Sequence, residues 1–290
     1  MSRRRELIHQ QQKLGEAREI VSSMKSLAFM ESRRLGQSLD VQRQIVRTME
    51  RAAADFLRFH PDLLPETDAK GPSASPRHIF LLLGSERGFC GNFNESLLAS
   101  LDTYEKGASV EKTGVIAFGQ KLCNRLEGDP RLITGLDGAA VLDEVPGALN
   151  RLVDTLTELQ AGEDTLRLTT LFHDPEQEAI VSCELLPPFQ HLSPPEASLA
   201  GPPQLNLDPA RFLLELVDQY LFATLHEMLF VSMMAENLQR MQHLEGAVRY
   251  LDQNLDSLQR RSNQLRQEEI TEEIEVILLS SVSVAPPTVD

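Results

Sequence analysis

Apolar residues toward the C-terminal end step alternately by three and four through Met241, Leu244, Val248, Leu251, Leu255, Leu258, Ser262 and Leu265. This is the seam of a coiled coil rather than the broader stripe of a globular helix, and only Ser262 interrupts it. No proline occurs between Pro209 and Pro286, and Gly246 is the only glycine in that stretch, so one helix can run throughout. The N-terminal end, proline-free before Pro61, offers a facing seam through Leu14, Ala17, Val21, Met24, Ala28 and Leu35. Ile45, Met49, Ala52 and Phe56 continue it less regularly. Helices of about 55 and about 70 residues would span about 80 and about 105 Å, too long for a compact domain. The two ends therefore predict an antiparallel shaft, although each seam alone would also suit core packing in a long helical hairpin.

The residues between the seams change period. Pro61, Pro65, Gly71, Pro72 and Pro76 mark a first irregular connection, and the prolines from Pro187 to Pro209 mark a second. Between them Ile79 to Leu83 reads as a buried strand ending at Gly84. A helix from Asn94 buries Leu97, Leu98, Leu101 and Tyr104, and Val115 to Phe118 make a second strand. A short helix carries Leu122 and Leu126 to Gly128. A longer one carries Leu149, Leu152, Val153, Leu156 and Leu159 and is closed by Gly162. Leu166 to Phe172 and Ala179 to Leu186 are two final strands joined at Asp174-Pro175. The order β-α-β-α-α-β-β implies a parallel core with an antiparallel edge. The predicted fold is α+β: a long antiparallel coiled coil of helices 1–60 and 209–285, with a Rossmann-like α/β domain, 78–187, inserted between them.

Composition narrows the class. The chain has 290 residues, 41% of them hydrophobic and 5% aromatic, with no Trp, which suits long helices better than a β-sandwich. No apolar run approaches the ~20 residues of a membrane helix, and the start leads into a polar stretch without a signal-peptide core. Cys90, Cys123 and Cys183 show no CxxC pairing and no nearby His at metal-ligand spacing, and read as reduced thiols of a cytoplasmic protein. A net charge of −15 argues against nucleic-acid binding. Its distribution is uneven: residues 1–58 hold 12 Lys and Arg against 7 Asp and Glu, a balance of +5, leaving −20 on the remainder. That basic strip is either a solvated helix face or a contact track for an acidic partner.

The loop Gly84 to Asn94 invites an enzymatic reading, because a strand, a glycine-rich turn and a helix are where dinucleotide enzymes hold a pyrophosphate. Its spacing is neither GxGxxG nor GxxxxGK[ST]. The alternative is structural: the glycines permit a tight turn and Asn94 caps the next helix. The seven His are scattered, with His226 and His243 expected on the polar surface of the long helix. Glu268, Glu269, Glu272, Glu273 and Glu275 read as a solvated face rather than a carboxylate or metal site, and no metal or cofactor is expected.

Several marks then fall in one order along the chain. Gly88-Phe89-Cys90-Gly91-Asn92-Phe93-Asn94 resembles the G-x-C-G-x-F-N signature of the gamma subunit of F-type rotary ATP synthases, after the first strand as in that family. Glu236 to Met241 resembles its E-H-A-x-R-M segment, and Arg266 to Ile274 its R-Q-x-x-I-T-x-E-[LI] segment. Met24-Lys25 followed by Arg33-Arg34 is similar to its M-K motif and the basic pair beyond. Two stretches depart from the pattern. Ser26 to Glu31 is bulkier and includes an acid where small and basic residues are usual, and Glu268 to Glu275 is unusually acidic.

The resemblance implies a central rotor stalk with no catalytic site of its own, transmitting torque between a membrane c-ring and a ring of alpha and beta catalytic subunits during ATP synthesis coupled to proton or sodium-ion transport. The implied partners are the alpha and beta subunits, the epsilon subunit and the c-ring, with no nucleic acid and no direct nucleotide binding. The implied location is peripheral, on the cytoplasmic face of a bacterial inner membrane, in a divergent bacterial branch. Lys25, Arg33, Arg34, Arg266, Gln267 and Thr271 are the expected rotor–stator contacts. Ile274, Ile277 and Leu278 belong to a slim apolar bearing tip, and Gly88, Cys90, Gly91 and Asn94 to the signature loop. A free-standing coiled-coil adaptor would share the seam but have no reason to carry the loop and C-terminal motifs.

Overall fold

The computed structural model describes residues 3–63, 77–107, 113–161, 166–190, 192 and 204–283. The expected stop at Gly162, most of the two proline-rich connections and the tail after Ser283 lie outside the described residues. The elements are α1 (Arg3–Phe59), β1 (Arg77–Leu83), α2 (Phe93–Gly107), β2 (Thr113–Phe118), α3 (Gln120–Arg125), β3 (Leu132–Leu136), α4 (Val145–Ala161), β4 (Leu166–Asp174), β5 (Ala179–Leu186) and α5 (Pro209–Ser283). The chain divides into two compact units, 1–27 with 242–290, and 28–241. Both terminal helices contribute to each.

In the terminal unit, α1 and α5 run antiparallel. Arg4 pairs with Glu269 at 3.3 Å, Gln11 Nε2 donates to Gln259 Oε1 at 2.5 Å, and Arg18 Nε donates to Asp252 Oδ1 at 2.9 Å. The α5 partner number falls as the α1 number rises. The seam positions are the sheltered ones: Leu244 is fully buried, Ser262 is buried, and Val248, Leu251, Leu255, Leu258 and Leu265 are half-buried against half-buried Leu14, Ala17, Val21 and Met24. Two helices alone can cover only one face of each other, which is why so few of these residues are fully enclosed. Beyond Glu269, α5 continues to Ser283, about 20 Å at 1.5 Å per residue.

The larger unit is built on a five-stranded sheet in the order β3-β2-β1-β4-β5, parallel except for β5, which pairs antiparallel with β4. Alternation along β1 divides its residues between two cores. Ile79, Leu81 and Leu83 pack with Leu149 and Leu152 of α4, Leu35 and Leu39 of α1, and Leu225 to Met233 of α5. Phe80 and Leu82 pack with Phe93, Leu97 and Leu101 of α2 and Leu122 of α3. A third cluster joins Val46, Ala53 and Phe56 of α1 to Leu213, Tyr220 and Ala223 of α5.

Two expectations are corrected here. The chain from Leu132 to Leu136 is an additional parallel strand, β3. It sits at the sheet edge, half exposed, and contains Gly135, where a Cβ would lie 2.9 Å from Cys123 Sγ. A short edge strand with an obligatory glycine lacks the continuous apolar run that marks its buried neighbours. In the second half of the α1 seam Met49 and Phe56 are where expected, but the two other positions are one residue off. Ile45 and Ala52 are exposed, and the inward positions are Leu35, Leu39, Gln42, Val46, Met49, Ala53 and Phe56. That is a regular three-four repeat containing one polar residue. Gln42 is buried because its Nε2 donates to the Ala223 carbonyl at 2.9 Å, satisfying the amide inside the seam.

Candidate functional site

The loop from Gly84 to Asn94 leaves the end of β1 and is gripped by one stretch of α5. Gly84 passes so close to α3 that a Cβ there would lie 2.4 Å from Leu122 Cβ. Gly119, opposite, has φ 109°, and a Cβ on it would fall 2.7 Å from the Gly84 carbonyl oxygen. These two glycines let the ends of β1 and β2 approach each other. Gly91 is left-handed at φ 58°, and so is Phe89 at φ 65°, a conformation that a non-glycine residue holds only where its surroundings fix it.

What fixes the loop is a set of buried polar groups on α5. The Glu236 carboxylate accepts from the amides of Glu86 at 3.3 Å and Arg87 at 3.1 Å. Arg240, one turn on, pairs with Glu236, donates from Nε to the Gly88 carbonyl at 3.1 Å, and donates to Asn237 Oδ1 at 2.8 Å. Asn237 in turn donates to the Met233 carbonyl at 2.9 Å, and Ser232 Oγ donates to the Leu83 carbonyl at 3.1 Å. Glu236, Asn237 and Arg240 are each no more than 6% exposed. Burial pushes the Glu236 carboxyl above the ordinary range, while Arg240 and the two loop amides pull it back. At the loop's other edge Glu86 accepts from the amides of Gln120 and Gly138, both at 2.8 Å. The space enclosed by Gly84, Glu86, Gly138, Ser232 and Glu236 amounts to about 10 Å³, no more than one water.

The signature residues converge at this grip. Gly88 supplies the carbonyl held by Arg240, and Cys90 is buried against Glu236, with its thiol 3.4 Å from the carbonyls of Arg87 and Gly88. Burial, reinforced by the Glu236 charge, pushes the Cys90 thiol up from 9.0 to about 12. Because the raised value favours the protonated thiol, Cys90 in the folded chain should resist alkylation at pH 8. Timed iodoacetamide labelling read by mass spectrometry checks this, with rapid modification of native protein as the contrary result. Asn94 does not cap α2 as the sequence suggested, because that helix begins at Phe93. Its side chain turns back, accepting from the Ser85 amide at 3.0 Å and donating to Ser85 Oγ at 2.9 Å. His226 is likewise half-buried rather than on the polar surface, 4.5 Å from the Phe230 ring, and burial lowers its pKa. His243 is exposed, as expected.

The remaining candidate residues are spread out. In the terminal unit Lys25 is half-buried and close enough to Glu245 to help Arg249 hold that carboxyl below its ordinary range. Arg266, Gln267 and Thr271 are exposed on α5, with Thr271 Oγ1 donating to the Gln267 carbonyl at 2.9 Å. Ile274, Ile277 and Leu278 are 51%, 64% and 59% exposed. In the larger unit Arg33 is exposed, and Arg34 is paired with Glu31 at 3.3 Å and Asp143 at 3.2 Å. Sequence reasoning placed Glu236 and Arg240 in a motif but gave them no part in holding the loop. Their i, i+4 spacing inside an otherwise apolar helix stretch was the available signal.

A family model described as ATP synthase matches residues 4–282. The ATP synthase gamma chain of Clostridium perfringens (strain SM101) is 26% identical over 269 residues, covering 90% of this chain and 91% of that one. The gamma chain of Clostridium botulinum (strain 657) is 23% identical over 270 residues with the same coverage. The chain belongs to the ATP synthase gamma-chain family. Solved structures share the gamma-chain fold. A chain of the Euglena gracilis mitochondrial ATP synthase OSCP/F1/c-ring structure superposes with a TM-score of 0.60 at 15% identity, covering 99% of this chain and 98% of that chain. One from the Tetrahymena thermophila mitochondrial ATP synthase central stalk and c-ring gives 0.56 at 16% identity, covering 79% and 99%. Antiparallel terminal helices around an inserted α/β sheet are thus the family's architecture. In this chain the Glu236–Arg240 grip joins the Gly84–Asn94 loop to α5.

Proposed function

We propose that this gamma-family chain is the central rotor stalk of a bacterial ATP synthase, transmitting torque between a membrane c-ring and an alpha–beta catalytic ring. The observation that carries the reading lies in the terminal unit. Two antiparallel helices are tied along a seam, and α5 continues past Glu269 with Ile270, Ile274, Val276, Ile277, Leu278 and Leu279 all 46% to 72% exposed. Apolar side chains exposed along a helix carry a penalty in water. Inside an apolar sleeve they are covered by non-directional contacts that oppose rotation little.

Lower on the same unit, Arg266, Gln267 and Thr271 supply charge-assisted and neutral hydrogen bonds that form when aligned and part on rotation, as a catch requires. Lys25 of the terminal unit is a further stator contact on this reading, and so, separately, are Arg33 and Arg34 of the larger unit. The larger unit grips its own α5 segment through Glu236 and Arg240, so that force on the sheet passes into the helix through buried bonds. ATP chemistry belongs to the partner subunits. The Glu86 and Arg87 amides of the glycine loop already hold the Glu236 carboxylate. Among the described residues no helix is long and apolar enough to cross a membrane, which fits a peripheral subunit on the cytoplasmic face. The epsilon subunit and c-ring complete the assembly, with protons or sodium ions as the coupled species.

Co-expression with the alpha and beta subunits of the same organism tests the assignment. One copy of this chain should co-purify with three of each. An alpha–beta assembly recovered without it, or a stable self-associated rod by ultracentrifugation, would overturn the reading in favour of a free-standing adaptor.

A further inference from the structure

Arg43 of α1 stands between two carboxylates that it does not hold equally. Its Nη1 donates to Glu176 Oε1, in the turn between β4 and β5, at 2.6 Å. Its Nε lies 3.7 Å from Glu227 Oε1 of α5, within ion-pair reach but beyond hydrogen-bond distance. The Glu176 side chain is 59% exposed and that of Glu227 only 24%. The poorer contact has thus fallen to the carboxylate that water helps less.

Charge around Glu227 is also out of balance. α1 brings Glu50 as well as Arg43 and Arg47, and the end of β4 brings Asp174. With Glu176 and Glu227 there are four carboxylates against two guanidinium groups, a surplus of two negative charges in one corner of the larger unit. Asp174 is already occupied, accepting from the Glu176 amide at 2.9 Å and from Gln177 Nε2 at 3.0 Å. Cys183 of β5 and Tyr220 of α5 face Glu227 as well, and burial pushes both up, Cys183 to about 11, so neither adds charge at neutral pH. Burial likewise pushes the Glu227 carboxyl above its ordinary range, with Glu50 and Asp174 adding to the push and Arg43 and Arg47 opposing it. The bond to Arg43 holds Glu176 below its own range, so Glu227 takes a proton first as pH falls.

We propose that Arg43 is a proton-operated latch on the antiparallel edge of the sheet. While Glu227 is ionised, the guanidinium is divided between two acids. When Glu227 is protonated the cation passes whole to Glu176 and draws the turn, with β5 behind it, onto α1. The stability that Glu227 contributes is complete below the ordinary carboxylate range and is lost as pH rises through its raised value. Glu176 works the other way, contributing above the ordinary range and failing as pH falls through its lowered value. The latch is tightest between the two. All of these groups lie within residues 28–241 of one chain, so the latch does not depend on the rotor assignment.

NMR titration of the full chain, isotope-labelled at the glutamate carboxyl carbons, tests it beside Glu176→Gln and Glu227→Gln. Each variant identifies its own resonance by removing it. In Glu176→Gln the Glu227 titration should shift to lower pH, because that carboxylate inherits an undivided guanidinium, and in Glu227→Gln the Glu176 titration should shift lower still. Hydrogen exchange of the β5 amides, corrected for its intrinsic pH dependence, should show wild-type protection rising as pH falls from about 8 to about 5.5. In Glu227→Gln that protection should be high and level across the same range. A Glu227 titration left unmoved by Glu176→Gln would show that the two acids do not share Arg43. Protection in Glu227→Gln that follows the wild-type course would refute the latch.

Discussion

Arg240→Met should destabilise the folded chain by about 3–5 kcal/mol, because it leaves the Glu236 carboxylate buried without its counter-charge. Methionine fills much of the arginine's volume, so the loss reports the charge rather than a cavity. It also releases the Gly88 carbonyl and Asn237 Oδ1, both of which arginine satisfies. Adding Glu236→Gln to Arg240→Met should return part of that stability, since a neutral amide costs far less to bury than an unpaired carboxylate. Urea denaturation of the three proteins measures this, with hydrogen exchange at the Glu86 and Arg87 amides as the local readout. A midpoint for Arg240→Met equal to that of the parent would show that the pair is not what holds the loop.

Gly119→Ala should cost about 3 kcal/mol, from two effects acting together. At φ 109° an alanine is strained, and its Cβ would press to 2.7 Å from the Gly84 carbonyl oxygen and 2.9 Å from that of Ser85. Neither neighbour is a flexible side-chain end that could swing away. Gly246→Ala is the informative contrast. It lies in α5 with nothing within 4 Å of the added methyl group, so it should stabilise the helix by about 1 kcal/mol. Thermal melts of the two variants moving in opposite directions would confirm that the backbone, not composition, makes Gly119 necessary.

The parts of the fold that were legible in the sequence are those whose burial is one-sided and periodic. The α5 seam from Leu244 to Leu265 could be read because its sheltered positions are apolar apart from Ser262. The buried strands β1, β2 and β4 could be read because both their faces are covered and their runs are continuous. Legibility failed where a polar group is satisfied internally. Gln42 sits in the α1 seam only because the Ala223 carbonyl lies opposite it. A reading that prefers apolar residues therefore slid to Ile45 and Ala52. β3 was missed for a related reason, since an edge strand earns little burial and carries a glycine that its neighbour Cys123 demands.

The candidate site divides the same way. The signature loop was visible as a motif, but its fastening was not, because the groups that hold it lie about 150 positions further along the chain. Asn94 was expected at a helix cap on the strength of its residue type, and the structure uses it instead to close the turn onto Ser85. The expected contact residues on α5, Arg266, Gln267 and Thr271, could be named only from a motif.

An anion reaching for the Glu86 and Arg87 amides would meet a resident competitor. The acceptor already there is covalently part of the protein, so it is present at an effective concentration no free phosphate can match, and its withdrawal would strand a guanidinium in the interior. The strand–loop–helix corner that elsewhere welcomes nucleotides is here sealed from within, and the seal also serves as a structural rivet.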